Sequence, residues 1–400
     1  MKVIVIGAGA SGLFAAIQAA KNNALVTVIE QQNKVGKKLS VTGNGKCNFT
    51  NQKLMMSPSL EQYYYGDCEY IQQVLQRFSP EETIAFFEKI GIPSYIEKNY
   101  QGRYPKSNQA TSVTNGLADY ARQLGVKIKT NNEIHSVKKE NGQFVVDVGI
   151  PLYCDRLIVA TGGMNPDIQG LSGYEIARNF GHKIEDLKPA LTALIGKSLL
   201  NKAAGVRIQA KISTKDSREE QGELQITEYG LSGIPIFNLS HLLKDGEQIH
   251  LDFFPEYDSS SFEKFVNESF DHLKENRTET EISRALSGIL PEKIVMVLLK
   301  QFGVKPEEKM ERISQEQFQT MIGYLKEYPF TVEKRRDFKF AQVTQGGVVL
   351  GEVDVNTMES KCCQGLYFCG ELLNVDGVCG GFNLQWAWST GWIAGVHSSR

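Results

Sequence analysis

The sequence lacks most of what would mark a membrane, metal-binding or fibrous protein. After the N-terminal segment no apolar run reaches the ~20 residues that span a bilayer. The apolar start itself, VIVIGAGASGLFAAIQAA, contains three glycines and leads into a strand ending in an acid, which argues against a signal-peptide core. A cytoplasmic location is expected. The cysteines number seven, an odd count, and include the neighbours Cys362 and Cys363, which cannot pair with each other without strain. No CxxC repeat occurs, so reduced thiols are expected. Six histidines, His135, His182, His241, His250, His272 and His397, show neither metal-ligand spacing nor an evident triad, and no metal is expected. A formal net charge of -2 excludes an overall basic field, so any nucleic-acid contact must rest on a local patch. Solenoid repeats and low-complexity segments are absent as well.

What is present is an ordinary globular composition, 41% hydrophobic and 22% charged, over 400 residues, long enough for two or three packed units. Val3 to Ile6 reads as a strand, Gly7 to Gly12 as a glycine turn, Leu13 to Asn22 as a helix and Val26 to Glu30 as a second strand. Strand, turn, helix and strand within about thirty residues predict a βαβ unit with parallel strands. The Gly-, Lys- and Asn-rich stretch from Gln31 to Asn51 reads as a long ordered loop, a type that is usually functional. Helices over 80–90 and 112–124, and strands over 127–129, 134–138, 144–148 and 156–160, extend this first segment to about residue 190. Alternating segments from Val206 to Phe253 then predict a β-rich insert over 191–258. The helical spacing of Phe262, Phe265, Val266, Phe270 and Leu273 predicts a helical part over 259–328. A return strand of the insert over 329–342 follows, and a glycine-rich strand-plus-helix pattern over 343–400 completes the first domain. The fold class is thus α/β, a Rossmann-like dinucleotide-binding domain interrupted by an insert with a β-barrel-like and a helical part.

The chemistry starts at Gly7-Ala8-Gly9-Ala10-Ser11-Gly12. A GxGxxG alone is a weak signal, but here it follows a strand and opens a helix. Gly7 permits the tight turn, Gly9 the approach of a pyrophosphate, and Gly12 close helix packing. Glu30, 18 residues after Gly12, can accept hydrogen bonds from an adenosine ribose and would repel a 2′-phosphate. FAD and NAD share this fingerprint, and the C-terminus separates them. Gly365 to Glu371 reads as a strand ending in Gly-Glu, and Gly380-Gly381-Phe382-Asn383-Leu384-Gln385 opens a second helix. A second helix N-terminus suits a flavin, whose reduced ring gains negative charge that N–H donors and the helix dipole stabilise. No second GxGxxG follows a later strand, so NAD(P)H must dock transiently or another donor must serve. In the Lys37 to Asn51 loop, Lys37, Lys38 and Lys46 are candidates to neutralise pyrophosphate, and Cys47 is a candidate catalytic thiol facing the flavin. A buried small hydrophobe is the plainer reading of Cys47.

These motifs resemble the BaiN/RdsA-like (YhiN-like) family of NAD(P)/FAD-dependent oxidoreductases. The resemblance spans essentially the whole chain, through GAGASGL at 7–13, KKLSVTGNGKCNFTN at 37–51, ATGG at 160–163, GELQITEYGLSGIPIFNLS at 222–240 and the segment from Val343 to Gly395. It implies FAD held by Gly7, Gly9, Ala10, Ser11, Gly12, Glu30, Gln31, Lys38, Leu39, Thr42, Gly43, Asn44, Gly45, Cys47, Asn48, Ile134, Ala160, Thr161, Gly162, Gly370, Glu371, Gly381, Phe382, Asn383 and Leu384. Lys46 stands where relatives usually carry Arg, and a point charge replaces a planar fork there. The implied reaction is reduction of a polarised C=C, either uridine in large-subunit ribosomal RNA or a bile acid intermediate, with a non-catalytic FAD-binding protein as the rival reading. The QWAWS stretch at 385–389 resembles the RNA branch, and Lys334, Arg335, Arg336 and Lys339 form the densest basic cluster available to RNA phosphates.

Overall fold

A computed structural model of the chain describes residues 1–98 and 100–400. It divides into two compact units, Met1–Lys188 with Val343–Arg400, and Pro189–Gln342.

The first unit is built on a five-stranded parallel sheet. Its strands are β1 (Lys2–Ile6), β2 (Leu25–Ile29), β3 (Lys127–Lys129), β4 (Arg156–Val159) and β5 (Leu366–Phe368), in the order β5-β4-β1-β2-β3. Val3 to Ile6 and Leu157 to Val159 are buried, as expected for parallel strands covered on both faces. Helix α1 (Ala10–Lys21) follows β1, and α2 (Phe382–His397) follows β5.

Helix α2 is buried over most of its length, which marks a central helix rather than a surface one. It lies against α1 at backbone distance. A Cβ on Gly391 would stand 2.6 Å from the Ser11 carbonyl oxygen, and one on Gly395 2.3 Å from that of Ala15. Small residues on both helices therefore set the spacing. Around this contact Phe14, Phe78, Phe86, Phe87 and Trp388 form an aromatic cluster with tilted and edge-on rings, the geometry favoured by ring quadrupoles.

Two three-stranded sheets also belong to the unit. One joins Ser136–Glu140, Gln143–Asp147 and Pro151–Cys154, and the other joins Thr50–Asn51, Ser94–Ile96 and Gly102–Pro105, both antiparallel.

The second unit carries a seven-stranded antiparallel sheet whose longest pair is Arg207–Thr214 with Glu219–Thr227. Helices Ser259–Asn276, Ile282–Leu286, Glu292–Gln301 and Gln315–Tyr324 pack on it, and sheet and helices share one apolar core. The helical stretch is thus a layer of this unit, not a separate body. Asp258 caps the first of these helices, accepting a hydrogen bond from Ser261 N at 2.8 Å.

Candidate functional site

The turn between β1 and α1 leaves room in one place only. A Cβ on Gly7 (φ 102°) would meet the Ala160 carbonyl oxygen at 2.4 Å, and one on Gly12 the Gly7 oxygen at 1.9 Å. A Cβ on Gly9, by contrast, would enter open space. Helix α1 starts there without a side-chain cap, so its first N–H groups and the positive end of its dipole face that open space. A diphosphate needs this combination of bare backbone and N–H donors.

Glu30 closes one side. One carboxylate oxygen accepts from Ala8 N and the other from Gln32 N, each at 2.8 Å, which orients the group and leaves a lone pair on each oxygen for ribose hydroxyls. The neighbouring Gln31 amide donates to the Gln169 carbonyl, and Leu171 N donates to the buried Ile134 carbonyl at 3.0 Å.

The 31–51 loop folds back onto the glycine turn, where Gly36 N donates to the Ala8 carbonyl at 2.8 Å. Gly43, Asn44, Gly45 and Cys47 all have positive φ, a conformation that costs Asn44 and Cys47 energy and that often marks functional sites. Leu39 is buried and anchors the loop, while the Thr42 hydroxyl donates to the Leu39 carbonyl at 2.8 Å. Lys38 pairs with Glu371 at 2.6 Å, and the other Glu371 oxygen accepts from Thr344 N at 2.9 Å. Lys37 and Lys46 are exposed. The end of β4 lies under the turn, with Thr161 close to Gly173 and Gly162 at φ 75°.

Cys47 is placed unlike a reactive thiol. It is fully buried, and burial pushes its pKa up to about 12, with the Thr42 hydroxyl acting the other way. The thiol stays neutral and packed among apolar neighbours.

The amino end of α2 is the second donor set. Gly381 precedes it at φ 96°, and no side chain caps it. The Asn383 amide is spent locally, donating to the Gly377 carbonyl at 2.7 Å and accepting from Gly377 N at 2.8 Å, so residues 382–384 offer backbone N–H groups instead. Asn51 Nδ2 holds the Gly380 carbonyl at 2.8 Å, and the Tyr64 hydroxyl holds that of Phe382 at 2.9 Å. Gly370 is clamped by α2, donating to the Thr390 hydroxyl at 2.9 Å and accepting from Trp386 Nε1 at 3.1 Å.

Gln385 to Ser389 are buried or nearly so, and tie α2 to the site loop. The Thr50 hydroxyl donates to Gln385 Oε1 at 2.7 Å and Trp388 Nε1 to the Phe49 carbonyl at 2.9 Å. This stretch packs α2 against the site loop.

Sequence reasoning missed Tyr104. Strand pairing of Thr50 with Arg103 brings it beside the glycine loop, its ring 3.5 Å from the position a Cβ on Gly43 would take, with the Asn48 side chain beside it. Asn48 Oδ1 is buried and has no partner. Only the non-local pairing could have revealed this.

In the second unit, Arg335 donates to the carbonyls of His241 and Leu243, both at 2.9 Å. The Arg336 guanidinium lies over the rings of Tyr229 and Phe340, at 4.3 and 3.5 Å, and donates to the Tyr229 hydroxyl at 2.7 Å. Lys334 and Lys339 are exposed.

His182, Glu352 and Cys362 cluster closely enough to suggest a metal site. The Ser360 hydroxyl already accepts from the N–H groups of Cys362 and Cys363, so its own proton goes to His182 Nε2 at 2.6 Å. That uses the lone pair of a neutral imidazole, and Nδ1–H faces Glu352 at 3.3 Å. His182 is thus fixed through Ser360, while its Nδ1 is buried without a hydrogen-bond partner.

A parallel βαβ sheet with an open glycine turn, an acid just after its second strand and a second uncapped helix end from the C-terminus is the architecture of a Rossmann-type flavoprotein oxidoreductase. The chain belongs to the HI0933-like family, whose Rossmann-domain model matches residues 1–397. It is 38% identical to a 3-dehydro-bile acid delta(4,6)-reductase of Clostridium scindens, over 98% of each chain. It is 30% identical to a ribosomal RNA dihydrouridine synthase of Haemophilus influenzae, over 99% of this chain and 98% of that one. Among solved structures it resembles a 3-ketosteroid-delta4-(5alpha)-dehydrogenase from Rhodococcus jostii, with a TM-score of 0.50 and 15% identity over 100% of this chain and 96% of the other, a likeness of fold. Among the described residues no helix is long and apolar enough to cross a membrane.

Proposed function

We propose that the protein binds FAD and reduces a carbon–carbon double bond conjugated to a carbonyl. The observation that carries this reading is the pairing of two uncapped helix amino ends, α1 and α2, fixed to each other by Gly391 and Gly395. Open backbone above Gly9 fits a diphosphate, and Glu30 fits a ribose. When bound and reduced, the flavin would supply the hydride with its electron pair.

The chain's own groups do the rest. The α1 N–H groups and Lys38 balance phosphate charge, and Glu30 selects a dinucleotide. The N–H groups of 382–384 stabilise negative charge wherever it develops near the α2 tip. Cys47, neutral and buried, packs the loop. NAD(P)H is the proposed electron donor, docking transiently.

The two named relatives act on a 3-dehydro-bile acid and on ribosomal RNA, and both substrates offer a C=C conjugated to a carbonyl. The small-molecule reading is favoured here, because Arg335 and Arg336 are engaged within the second unit and leave Lys334 and Lys339 as the exposed members of the basic cluster. The test is anaerobic incubation of the FAD-loaded protein and NADH or NADPH with a 3-oxo-4-ene bile acid or with unmodified ribosomal RNA. Gain of two hydrogens by the steroid supports the reading, and gain by uridine alone moves the substrate to RNA. With neither changed, the reductase reading fails.

A further inference from the structure

We propose that Tyr104 is the proton donor of the reaction, a role that rests on the reductase reading above. Hydride addition to the β-carbon of a conjugated carbonyl leaves the electron pair of the broken π bond at the α-carbon, and a proton must meet it there. Two C–H bonds form, the substrate gains two electrons from the reduced cofactor, and the acid that gave the proton is restored by water. A neutral group with an exchangeable proton, beside the flavin loop and reachable from solvent, is required.

Tyr104 meets these conditions and Cys47 does not. Its residue is half-buried, whereas Cys47 is sealed. Strand Gly102–Pro105 holds it, with its ring stacked on Tyr95 at 6.0 Å and 27°, so the phenol is fixed in direction. The loop backbone comes close, since a Cβ on Gly43 would lie 3.5 Å from the Tyr104 ring. The neighbouring Asn48 side chain acts against burial and favours the phenolate, which remains when the proton leaves. Asn48, the neighbour of Tyr104, has its Oδ1 buried without a partner, 2.8 Å from the position a Cβ on Gly381 would take. The pair thus joins the glycine loop to the α2 tip. Burial is the largest effect on the phenol and holds its pKa above the ordinary range, with Glu97, Tyr95 and Cys47 adding to it, so Tyr104 stays protonated at neutral pH.

The test compares the FAD-loaded protein with Tyr104→Phe and Tyr95→Phe, using a 3-oxo-4-ene bile acid as the probe. Binding of the steroid to the oxidised protein, read from the flavin difference spectrum, should change by less than about twofold in Tyr104→Phe. Flavin reduction by NAD(P)H should be unchanged, while anaerobic reoxidation by the steroid should slow by ~100-fold or more. Tyr95→Phe should reoxidise normally. A Tyr104→Phe protein that reoxidises within about threefold of wild type overturns the assignment, as does one that loses FAD and steroid binding in step with rate, since that is a structural role. A wild-type protein that binds FAD but never reduces the steroid sinks the reductase reading itself, and the two failures are told apart by which protein fails.

Discussion

Replacing Gly391 and Gly395 by Ala tests whether backbone contact between the helices positions both donor sets. Alanine favours a helix interior over glycine by ~1 kcal/mol, so propensity alone predicts stabilisation. The structure predicts the opposite sign. The added methyls would sit 2.6 Å from the Ser11 oxygen and 2.3 Å from the Ala15 oxygen, well inside an ordinary contact of 3.4 Å or more, and both obstacles are backbone. Helices α1 and α2 must part by roughly an ångström, and such overpacking costs ~1–3 kcal/mol per site. The net loss for the pair should be a few kcal/mol, a fall in Tm of several degrees. Because the amino ends of both helices move apart, FAD affinity should fall by more than tenfold. Gly323→Ala is the control, since its Cβ would meet nothing within 4 Å, and it should keep or raise Tm. Thermal unfolding with and without FAD, and flavin titration, give both quantities. If Gly395→Ala behaves like Gly323→Ala, the close contact does not hold the site.

Other consequences are equally direct. Exposed Cys362 should react first with a thiol reagent, while Cys47, Cys154 and Cys369 should react only on unfolding. Those three have folded pKa values raised to about 12 from 9.0, so their stabilising share is intact below pH 9 and is lost as pH rises toward 12, each by ~1.4 kcal/mol per pH unit. Cys47→Ala should therefore flatten alkaline unfolding, keep its FAD, and retain substrate turnover; abolished turnover would restore a catalytic thiol. Arg335→Ala strands the carbonyls of His241 and Leu243 and should lower the stability of the second unit by ~1–3 kcal/mol without changing the salt slope of any RNA binding. A flattened slope in an otherwise stable variant would give Arg335 back to RNA.

Much of the nucleotide half is legible in the sequence because its signals are local. Gly7, Gly9, Gly12 and Glu30 lie within one βαβ unit, and the chemistry of each follows from spacing. The second helix end at Phe382 is visible as a glycine pair before an apolar run. What could not be read depends on contacts far apart in the chain. Tyr104 joins the site only because Gly102–Pro105 pairs with Thr50–Asn51. The burial of Gln385 to Ser389 follows from hydrogen bonds to Phe49, Thr50 and Phe78. Arg335 looks like a phosphate ligand in a basic run, and only the fold shows two carbonyls already holding it.

The most direct test of the account is the identity of the nucleotide the protein holds. Purified protein should be yellow, release FAD and not FMN on denaturation, and approach one FAD per chain. Glu30→Arg should lose at least tenfold in FAD affinity, because the carboxylate that accepts from Ala8 N and Gln32 N, proposed to hold the ribose, is gone. A colourless protein that ignores FAD and binds NAD tightly would contradict it.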